Sequence, residues 1–348
     1  MARSSTTFPS RWRSGKTTVI RVPTKLADKL VEIARRMDDA GTIVVREESH
    51  SMTLEFPTAR REVRYEMHRP VNVSSVPQRS PFRYPGGKTW LIPHVRSWLG
   101  SLDRTPTRLL EPFAGGAAVS LTVGFEKLAR HVVFSEMDDG VASVWRVVLN
   151  GQARWLAERV RSFDLNLENV RRILDGTENS LRDEAFRTLL RNRVQRGGIL
   201  AKGAGLVKTG EGERGLNARW YPETLARRIL EINEVKDRFT FVQTDGLALV
   251  REHLNDKDTI FYIDPPYMVA ARRLYTHWQV DHREIFRLMS KAKGDFLMSY
   301  DNTPEIQAFA DEFGFETRQV AMKNTHHAKM TELLIGRDLS FLNRGSGN

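Results

Sequence analysis

The segment Thr259-Ile260-Phe261-Tyr262-Ile263-Asp264-Pro265-Pro266-Tyr267 joins a strongly apolar run to a tetrad that contains two prolines. A short apolar run of β-branched and aromatic residues is typical of a buried strand in a parallel sheet. Prolines cannot continue a hydrogen-bonded ladder, so the strand should end just before Asp264. Open α/β sheets bind ligands at the carboxyl ends of their strands, and the tetrad is predicted at such an end.

From Pro81 onwards, apolar strands alternate with helical patterns, which predicts a doubly wound α/β fold. Besides the strand above, strands are predicted at 109–110, 132–134, 239–242 and 296–298, with a late edge strand at 333–335. The alternation stops between Gly151 and Asp237, where helical patterns flank a glycine-rich segment. We interpret this region as an insertion between the two halves of the sheet.

The predicted organisation has five parts. Residues 1–15 form a disordered basic arm, and residues 16–70 form a small N-terminal extension. Its strand at 17–23 and a helix capped by Thr24 resemble half of a ribbon-helix-helix DNA-binding unit, but strands at 42–45 and 52–56 follow instead of a second helix. The extension therefore binds DNA or serves as a structural or oligomerising unit. A linker (71–80), an α/β domain (81–150 and 238–340) and the insertion (151–237) complete the chain.

Composition excludes several classes of protein. The 348 residues include no cysteine, which removes disulfides, thiolate nucleophiles and cysteine zinc sites, and disfavours methylation of the cytosine ring. The net charge of +11 favours a polyanionic partner. No run approaches the roughly 18 apolar residues that a membrane span needs, and no signal peptide is recognisable, so a cytoplasmic, nucleoid-associated protein without a membrane partner is expected.

A loop of small residues, Glu111-Pro112-Phe113-Ala114-Gly115-Gly116-Ala117-Ala118, follows one strand and precedes a helix. Such a loop lets a ligand approach the backbone at a helix N-terminus, although a tight strand-to-helix turn has the same pattern. Glu136 ends the next strand, where an acid can accept both ribose hydroxyls of a nucleoside. The pyrophosphate-binding glycine pattern is absent, so S-adenosylmethionine (AdoMet), which carries no phosphate, fits better than a dinucleotide.

The tetrad has the residue types needed to activate an exocyclic amine. The lone pair of such an amine is delocalised into the aromatic ring until acceptors localise it. The carboxylate of Asp264 and the carbonyl of Pro265 can accept the two amino hydrogens, Pro266 fixes the backbone, and the ring of Tyr267 can stack on an extruded base. The alternative is a proline-rich turn with an incidental aspartate.

In the order of these motifs, residues 81–336 resemble the Dam-type family of DNA adenine methyltransferases. Phe82-Arg83-Tyr84-Pro85-Gly86-Gly87-Lys88 looks like the family's first motif and implies AdoMet contacts for Tyr84 and Lys88. The resemblance also implies an AdoMet-dependent Rossmann-like sheet. Further cofactor contacts fall on Glu111, Phe113, Gly115 and Glu136, and Asp264 faces both cofactor and substrate.

Other segments extend the resemblance and show departures from it. Asp245 matches an acid that contacts the cofactor's adenine, but an aspartate capping the next helix has the same pattern. The segments 299–302 and 329–335 resemble the closing motifs, which shape the base pocket and finish the sheet. The family usually has Trp where this chain has Tyr84, Gly near Ala117 and Asp where this chain has Glu136. These substitutions put cofactor affinity, not reaction type, in question.

The insertion supplies basic residues among glycines, and family members read their target sequence with this region. Arg193, Arg196, Lys202 and Lys208 are the candidates for binding DNA, and a solvated basic loop is the alternative. The histidines lack metal-ligand spacing, so no metal is expected.

These features predict a site-specific enzyme that methylates N6 of adenine in double-stranded DNA. It is expected to act as a monomer in an orphan, phage or restriction-modification context, where a cognate endonuclease is a possible partner. Two alternatives stay open: methylation of an exocyclic amine in RNA, and a DNA-binding regulator that retains an inactive methyltransferase fold.

Overall fold

The computed structural model describes residues 31, 34, 44–48, 51–55, 67–68, 76–83, 87–177, 180–200, 204–207, 215–266, 280–323 and 329–343. The chain divides into two compact units, Met1–Arg69 and Pro70–Asn348.

The first unit contains a three-stranded antiparallel sheet in the order β1-β2-β3. Its strands are β1 (Val44–Glu48), β2 (Ser51–Glu55) and β3 (Met67–His68). The first two confirm the strands predicted near 42–45 and 52–56, with shifted bounds. Val31 and Ala34 are helical, while the rest of the predicted opening strand and helix lies outside the described residues.

The second unit is built on a seven-stranded sheet in the order β6-β5-β4-β7-β8-β10-β9. Its strands are β4 (Arg108–Glu111), β5 (His131–Ser135), β6 (Phe239–Val242), β7 (Thr259–Ile263), β8 (Phe296–Asp301), β9 (Glu316–Lys323) and β10 (Lys329–Gly336). The strands β4 to β8 pair in parallel, and β10 runs antiparallel to both of its neighbours. This arrangement confirms the predicted doubly wound α/β fold.

The central strand β7 is buried along its whole length. Ile260 and Tyr262 belong to the hydrophobic cluster on one face of the sheet, whereas Phe261 and Ile263 belong to the cluster on the other. Both faces of a parallel sheet are covered, so the strand reads as a continuous apolar run and not as an alternation. The strand ends at Ile263, as predicted, and Asp264 follows at its carboxyl end.

The last part of the sheet differs from the prediction. The edge strand predicted at 333–335 is in fact internal, because β10 lies between β8 and β9. Leu333, Leu334 and Ile335 are all buried, which is consistent with an internal position. The true edge strand, β9, escaped prediction because its sequence, ETRQVAMK, is mostly polar and has little apolar pattern.

Helices cover the two faces of the sheet and fill the insertion. They are α1 (Ile92–Ser101), α2 (Ala118–Phe125), α3 (Asp139–Leu149), α4 (Ala153–Ser162), α5 (Leu167–Asp175), α6 (Leu181–Val194), α7 (Pro222–Glu234), α8 (Gly246–His253), α9 (His282–Lys291) and α10 (Pro304–Phe313). Four of these, α4 to α7, lie between 151 and 237. No helix in the described part of the chain has the length and apolar content to span a bilayer.

Candidate active site

The catalytic candidate Asp264 lies at the carboxyl end of β7, and its side chain is 19% exposed. Pro265 is buried, and Pro266 is partly exposed. Tyr267 lies outside the described residues, as does Tyr84 of the first motif. The structure therefore places three of the four tetrad residues at the carboxyl end of a central strand, where ligands are expected.

A buried lysine sits beside Asp264. Lys88 begins a 3-10 helix (Lys88–Leu91) that leads into α1, and its side chain is only 5% exposed. Its Nζ lies 3.1 Å from Asp264 Oδ1 and 3.1 Å from both carboxylate oxygens of Glu332. Burial alone would lower the pKa of Lys88, but the two carboxylates outweigh it and raise the pKa. Lys88 is therefore a permanent cation held between two acids.

A second donor reaches the same oxygen of Asp264. The hydroxyl of Ser299, on β8, donates to Asp264 Oδ1 at 3.0 Å. The hydroxyl of Tyr262 lies 3.2 Å from Ser299 Oγ, and since the Ser299 proton is already directed to Asp264, Tyr262 acts as the donor. Burial raises the pKa of Tyr262 well above its usual value, so this donor stays protonated. These hydrogen bonds fix the orientation of the Asp264 carboxylate.

The glycine loop after β4 is held by its neighbours on both sides. Trp145 of α3 donates from Nε1 to the carbonyl of Gly115 (2.9 Å). Ser135, at the end of β5, donates from Oγ to the carbonyl of Pro112 (2.8 Å), and its own carbonyl accepts from the Ala114 N–H (3.0 Å). These hydrogen bonds hold the loop in its conformation from both sides.

Two residues of this loop have left-handed backbones. Gly115 has φ +48° and Ala117 has φ +52°. Glycine adopts this conformation freely, whereas alanine pays about 1–2 kcal/mol for it. The left-handed turn at Ala117 starts α2. Since glycine adopts this conformation without strain, the turn accounts for the glycine that the Dam-type family usually has near this position.

The backbone at Ala117 leads to a stability prediction. The change Ala117→Gly should alter the free energy of unfolding by less than about 1 kcal/mol, because relief of strain offsets a lost methyl and a more flexible unfolded chain. The change Ala117→Val should cost more than about 2 kcal/mol, since a β-branched residue is strongly disfavoured at positive φ and this site is fully buried. Urea denaturation measures both. Equal losses in the two variants would contradict the assignment.

The ribose-binding candidate, Glu136, already accepts three backbone hydrogen bonds. Its Oε2 accepts from Gly115 N (3.0 Å), and its Oε1 accepts from Met137 N (2.8 Å) and Asp138 N (3.0 Å). A carboxylate has about four acceptor positions, so about one is left, on Oε2. Burial raises the pKa of Glu136 despite these bonds. The residue thus helps to shape the glycine loop and retains limited capacity for a ribose hydroxyl.

Glu111 ends β4 and is buried beneath the same loop. Its Oε2 accepts from the backbone N–H of Ser120, in the first turn of α2, at 2.7 Å. Burial, opposed by Ser120 and reinforced by the negative charge of Asp264, raises the pKa of Glu111 to about 8. Glu111 is therefore mostly uncharged at neutral pH. The negative charge that acts on it comes from Asp264, and this charge fits a cationic nucleoside such as AdoMet.

Asp245 caps the helix that it precedes. Its carboxylate accepts from Ala248 N at 2.9 Å at the start of α8, which confirms the capping interpretation. The next residue, Gly246, packs so closely on Pro112 and the ring of Phe113 that a Cβ there would lie 2.6 Å from the Pro112 carbonyl oxygen. Asp245 is exposed beside the glycine loop. A contact between Asp245 and the cofactor's adenine stays a prediction.

Two acids near Lys88, Asp301 and Glu332, belong to the closing motifs at 299–302 and 329–335 but were not predicted as site residues. Glu332, on β10, is paired in register with Asp301, at the end of β8. Among the described residues, Asp301 Oδ1 is buried and has no hydrogen-bond partner, and burial raises the pKa of Asp301. An acid directly before the apolar run Leu333–Ile335, within the strand KMTELLIG, was the signal that could have identified Glu332.

The DNA-binding candidates differ in their positions. Arg193 is buried, and its guanidinium donates to the carbonyl of Pro81. Its neighbour Asn192 donates to the Arg83 carbonyl (2.9 Å) and accepts from the Arg83 N–H (2.7 Å). Arg193 therefore anchors the segment before the first motif. Because its side chain is buried, we do not assign it a DNA contact. Arg196 is exposed, whereas Lys202 and Lys208 lie outside the described residues.

Within the described residues, no group of three or more acidic, histidine or cysteine side chains is arranged to hold a metal ion. The features at the carboxyl ends of the strands are an acid and a proline-fixed loop after β7, and a loop of small residues after β4. The fold and the loops at these strand ends are typical of an α/β enzyme that uses a nucleoside-type cofactor.

The chain belongs to the D12 class N6 adenine-specific DNA methyltransferase family, which matches residues 84–324. The predicted family, AdoMet dependence and enzyme class are therefore confirmed. No curated protein matches the chain significantly. Among solved structures, the rRNA methyltransferase aviRa from Streptomyces viridochromogenes is 13% identical, with a TM-score of 0.35, over 75% of this chain and 89% of that one. A SAM-dependent methyltransferase from Agrobacterium tumefaciens is 9% identical, with a TM-score of 0.34, over 90% and 78%.

Proposed function

We propose that this enzyme transfers the methyl group of AdoMet to N6 of adenine at specific sites in double-stranded DNA. The observation that carries the proposal is the oriented carboxylate of Asp264 at the end of β7, held by Lys88 and Ser299. AdoMet supplies an electrophilic methyl on a sulfonium, and its sulfur leaves as a neutral thioether.

In this proposal, the chain's own residues localise the amine lone pair. The Asp264 carboxylate and the Pro265 carbonyl accept the two amino hydrogens of a flipped-out adenine, and Tyr267 stacks on its ring. The nitrogen forms a bond to the methyl carbon as the carbon–sulfur bond breaks. Positive charge then develops on the nitrogen, where the carboxylate stabilises it, and one amino proton is finally lost to solvent.

Cofactor roles are assigned to the residues around the two loops. Gly115 and Phe113 line the approach, Glu136 accepts a ribose hydroxyl with its remaining acceptor position, and Asp245 lies where the adenine edge is expected. Asp264 contributes negative charge toward the sulfonium, while Glu111, mostly uncharged at neutral pH, holds the first turn of α2 through Ser120. Lys88 and Tyr84 are assigned the AdoMet contacts that the first motif implies.

Sequence recognition is assigned to the helical insertion (151–237), with the exposed Arg196 and the predicted basic residues Lys202 and Lys208 contacting phosphates or base edges. A monomer acting on DNA in the cytoplasm, with or without a restriction endonuclease, completes this proposal.

The direct test supplies labelled AdoMet and genomic DNA from a host without adenine methylation, followed by digestion to nucleosides. Label in N6-methyladenine is the expected result. Label on cytosine alone would defeat the proposal, and label on ribosomal RNA with DNA inactive would replace it with the RNA alternative. Mapping methylated adenines in a host that expresses the enzyme then yields the recognised site.

A further inference from the structure

Glu332 occupies an unusual position for an acid. It lies on the internal strand β10, between Asp301 of β8 and Val320 of β9, and its side chain is 7% exposed. A buried ion pair contributes little net stability, because desolvation of the charges offsets their attraction, and an apolar pair of similar volume would stabilise the sheet as well. Stability alone therefore does not explain an acid at this position.

Its contacts show what the acid does locally. Both oxygens of Glu332 lie 3.1 Å from Lys88 Nζ, although the residues are 244 positions apart in the chain. A third oxygen near the same ammonium is Asp264 Oδ1, also 3.1 Å from Lys88 Nζ. The ammonium is thus shared between one acid that belongs to the catalytic loop and one that does not.

We propose that Glu332 is a positioning residue for methyl transfer. It holds the ammonium of Lys88 and offsets the ammonium's charge, so that Asp264 keeps its orientation and its negative charge is not neutralised by Lys88. The inference rests on the proposed role of Asp264. Glu332 acts through Lys88 and does not itself contact the base.

Charge counting gives the physical reason. With Glu332 present, the group of Lys88, Asp264 and Glu332 contains one positive and two negative charges, which leaves one negative charge in excess. Without the Glu332 charge, Lys88 and Asp264 together carry no net charge, and the ammonium offsets the carboxylate of Asp264. Transfer of the methyl group builds positive charge on the attacking nitrogen, so a neutralised Asp264 stabilises the transition state less. The expected loss falls on kcat more than on binding.

The test uses Glu332→Gln, which removes the charge and preserves size and one acceptor oxygen. Single-turnover transfer from labelled AdoMet to unmethylated genomic DNA should slow by about tenfold to a hundredfold, less than for a group that touches the base. The Kd for AdoMet should change by less than about threefold. The variant Glu332→Asp, which restores the charge on a shorter side chain, should recover part of the rate.

A double-mutant cycle separates positioning from a structural role. If Glu332 acts through Lys88, then adding Glu332→Gln to Lys88→Gln should slow transfer no further than Lys88→Gln alone. The double variant also avoids leaving the Glu332 carboxylate without its ammonium partner, and Asp264 keeps the hydrogen bond from Ser299, so it is the variant to use if Lys88→Gln alone is unstable. Additive losses in the cycle would overturn the inference.

The matched control is Glu126→Gln, which removes another carboxylate from an ion pair, here with Arg96 and at the end of α2 opposite to the glycine loop. It should leave the transfer rate unchanged. If Glu332→Gln also leaves the rate unchanged and alters only the melting temperature, Glu332 is a structural residue and the inference fails. Label on RNA or another base would defeat the proposed function alone, because the same cycle then runs on the labelled substrate; no transfer to any nucleic acid would overturn both.

Discussion

Replacing Asp264 by alanine is expected to slow methyl transfer by about 10²–10³-fold, the usual cost of removing one group that stabilises developing charge. The loss arises because the amine lone pair loses its acceptor and the attacking nitrogen loses its counter-charge. The fold should survive, since Lys88 keeps its ion pair with Glu332. Rapid-quench measurement of a single turnover at saturating AdoMet isolates this step from binding.

The same strand offers a matched control at its other end. Asp256 precedes β7 and accepts hydrogen bonds from Arg108 (2.7 Å) and Thr259 (2.8 Å). Asp256→Ala should therefore affect stability and leave the transfer rate unchanged. Ser299→Ala, which removes one of the donors to Asp264, should give a smaller loss than Asp264→Ala. An Asp264→Ala enzyme that transfers methyl groups at the wild-type rate would remove the tetrad from the mechanism.

The position of the tetrad was predictable because its determinants are local. Five apolar residues followed by two prolines specify a buried strand and its end, and strand ends are where α/β sheets bind ligands. The ion pairs around Asp264 were not predictable in this way. Lys88 begins a 3-10 helix, and Glu332 lies on β10, two places from β7 in the sheet. They meet only because the fold brings together two segments that are 244 positions apart in the chain.

Backbone conformation was also invisible in the sequence. The small residues of the glycine loop predicted a close approach of the chain, but the left-handed turn falls on Ala117 as well as on Gly115. The hydrogen bond from Trp145 to Gly115 depends on how α3 packs on the sheet. Arg193 shows the same limit, because a basic residue in a helical pattern has no sequence signal that tells a buried anchor from a DNA contact.

The prediction with the clearest pH dependence concerns Glu111. Its folded-state pKa of about 8 lies well above the usual value of 4.5. Between these values the folded protein binds a proton that the unfolded chain releases, so the free energy of unfolding should fall as pH rises from about 4.5 to about 8. The full effect of such a shift is on the order of 5 kcal/mol. Glu111→Gln removes the titrating group but keeps an acceptor for the Ser120 N–H, so this fall should disappear.

Urea denaturation of both proteins at pH 5 to 9 measures the effect as a difference, in which all other titrating groups cancel. Glu111→Gln should gain stability over the wild type progressively and reach its maximum near pH 8 to 9. Glu126→Gln is a suitable control, because its arginine partners lower the pKa of Glu126 and its contribution changes only at acidic pH. Parallel curves for Glu111→Gln and wild type would mean that the buried acid is solvated or paired when ionised. The cost of ionising Glu111 is most simply explained by its location, because its side chain is buried and the negative charge of Asp264 opposes a second negative charge nearby.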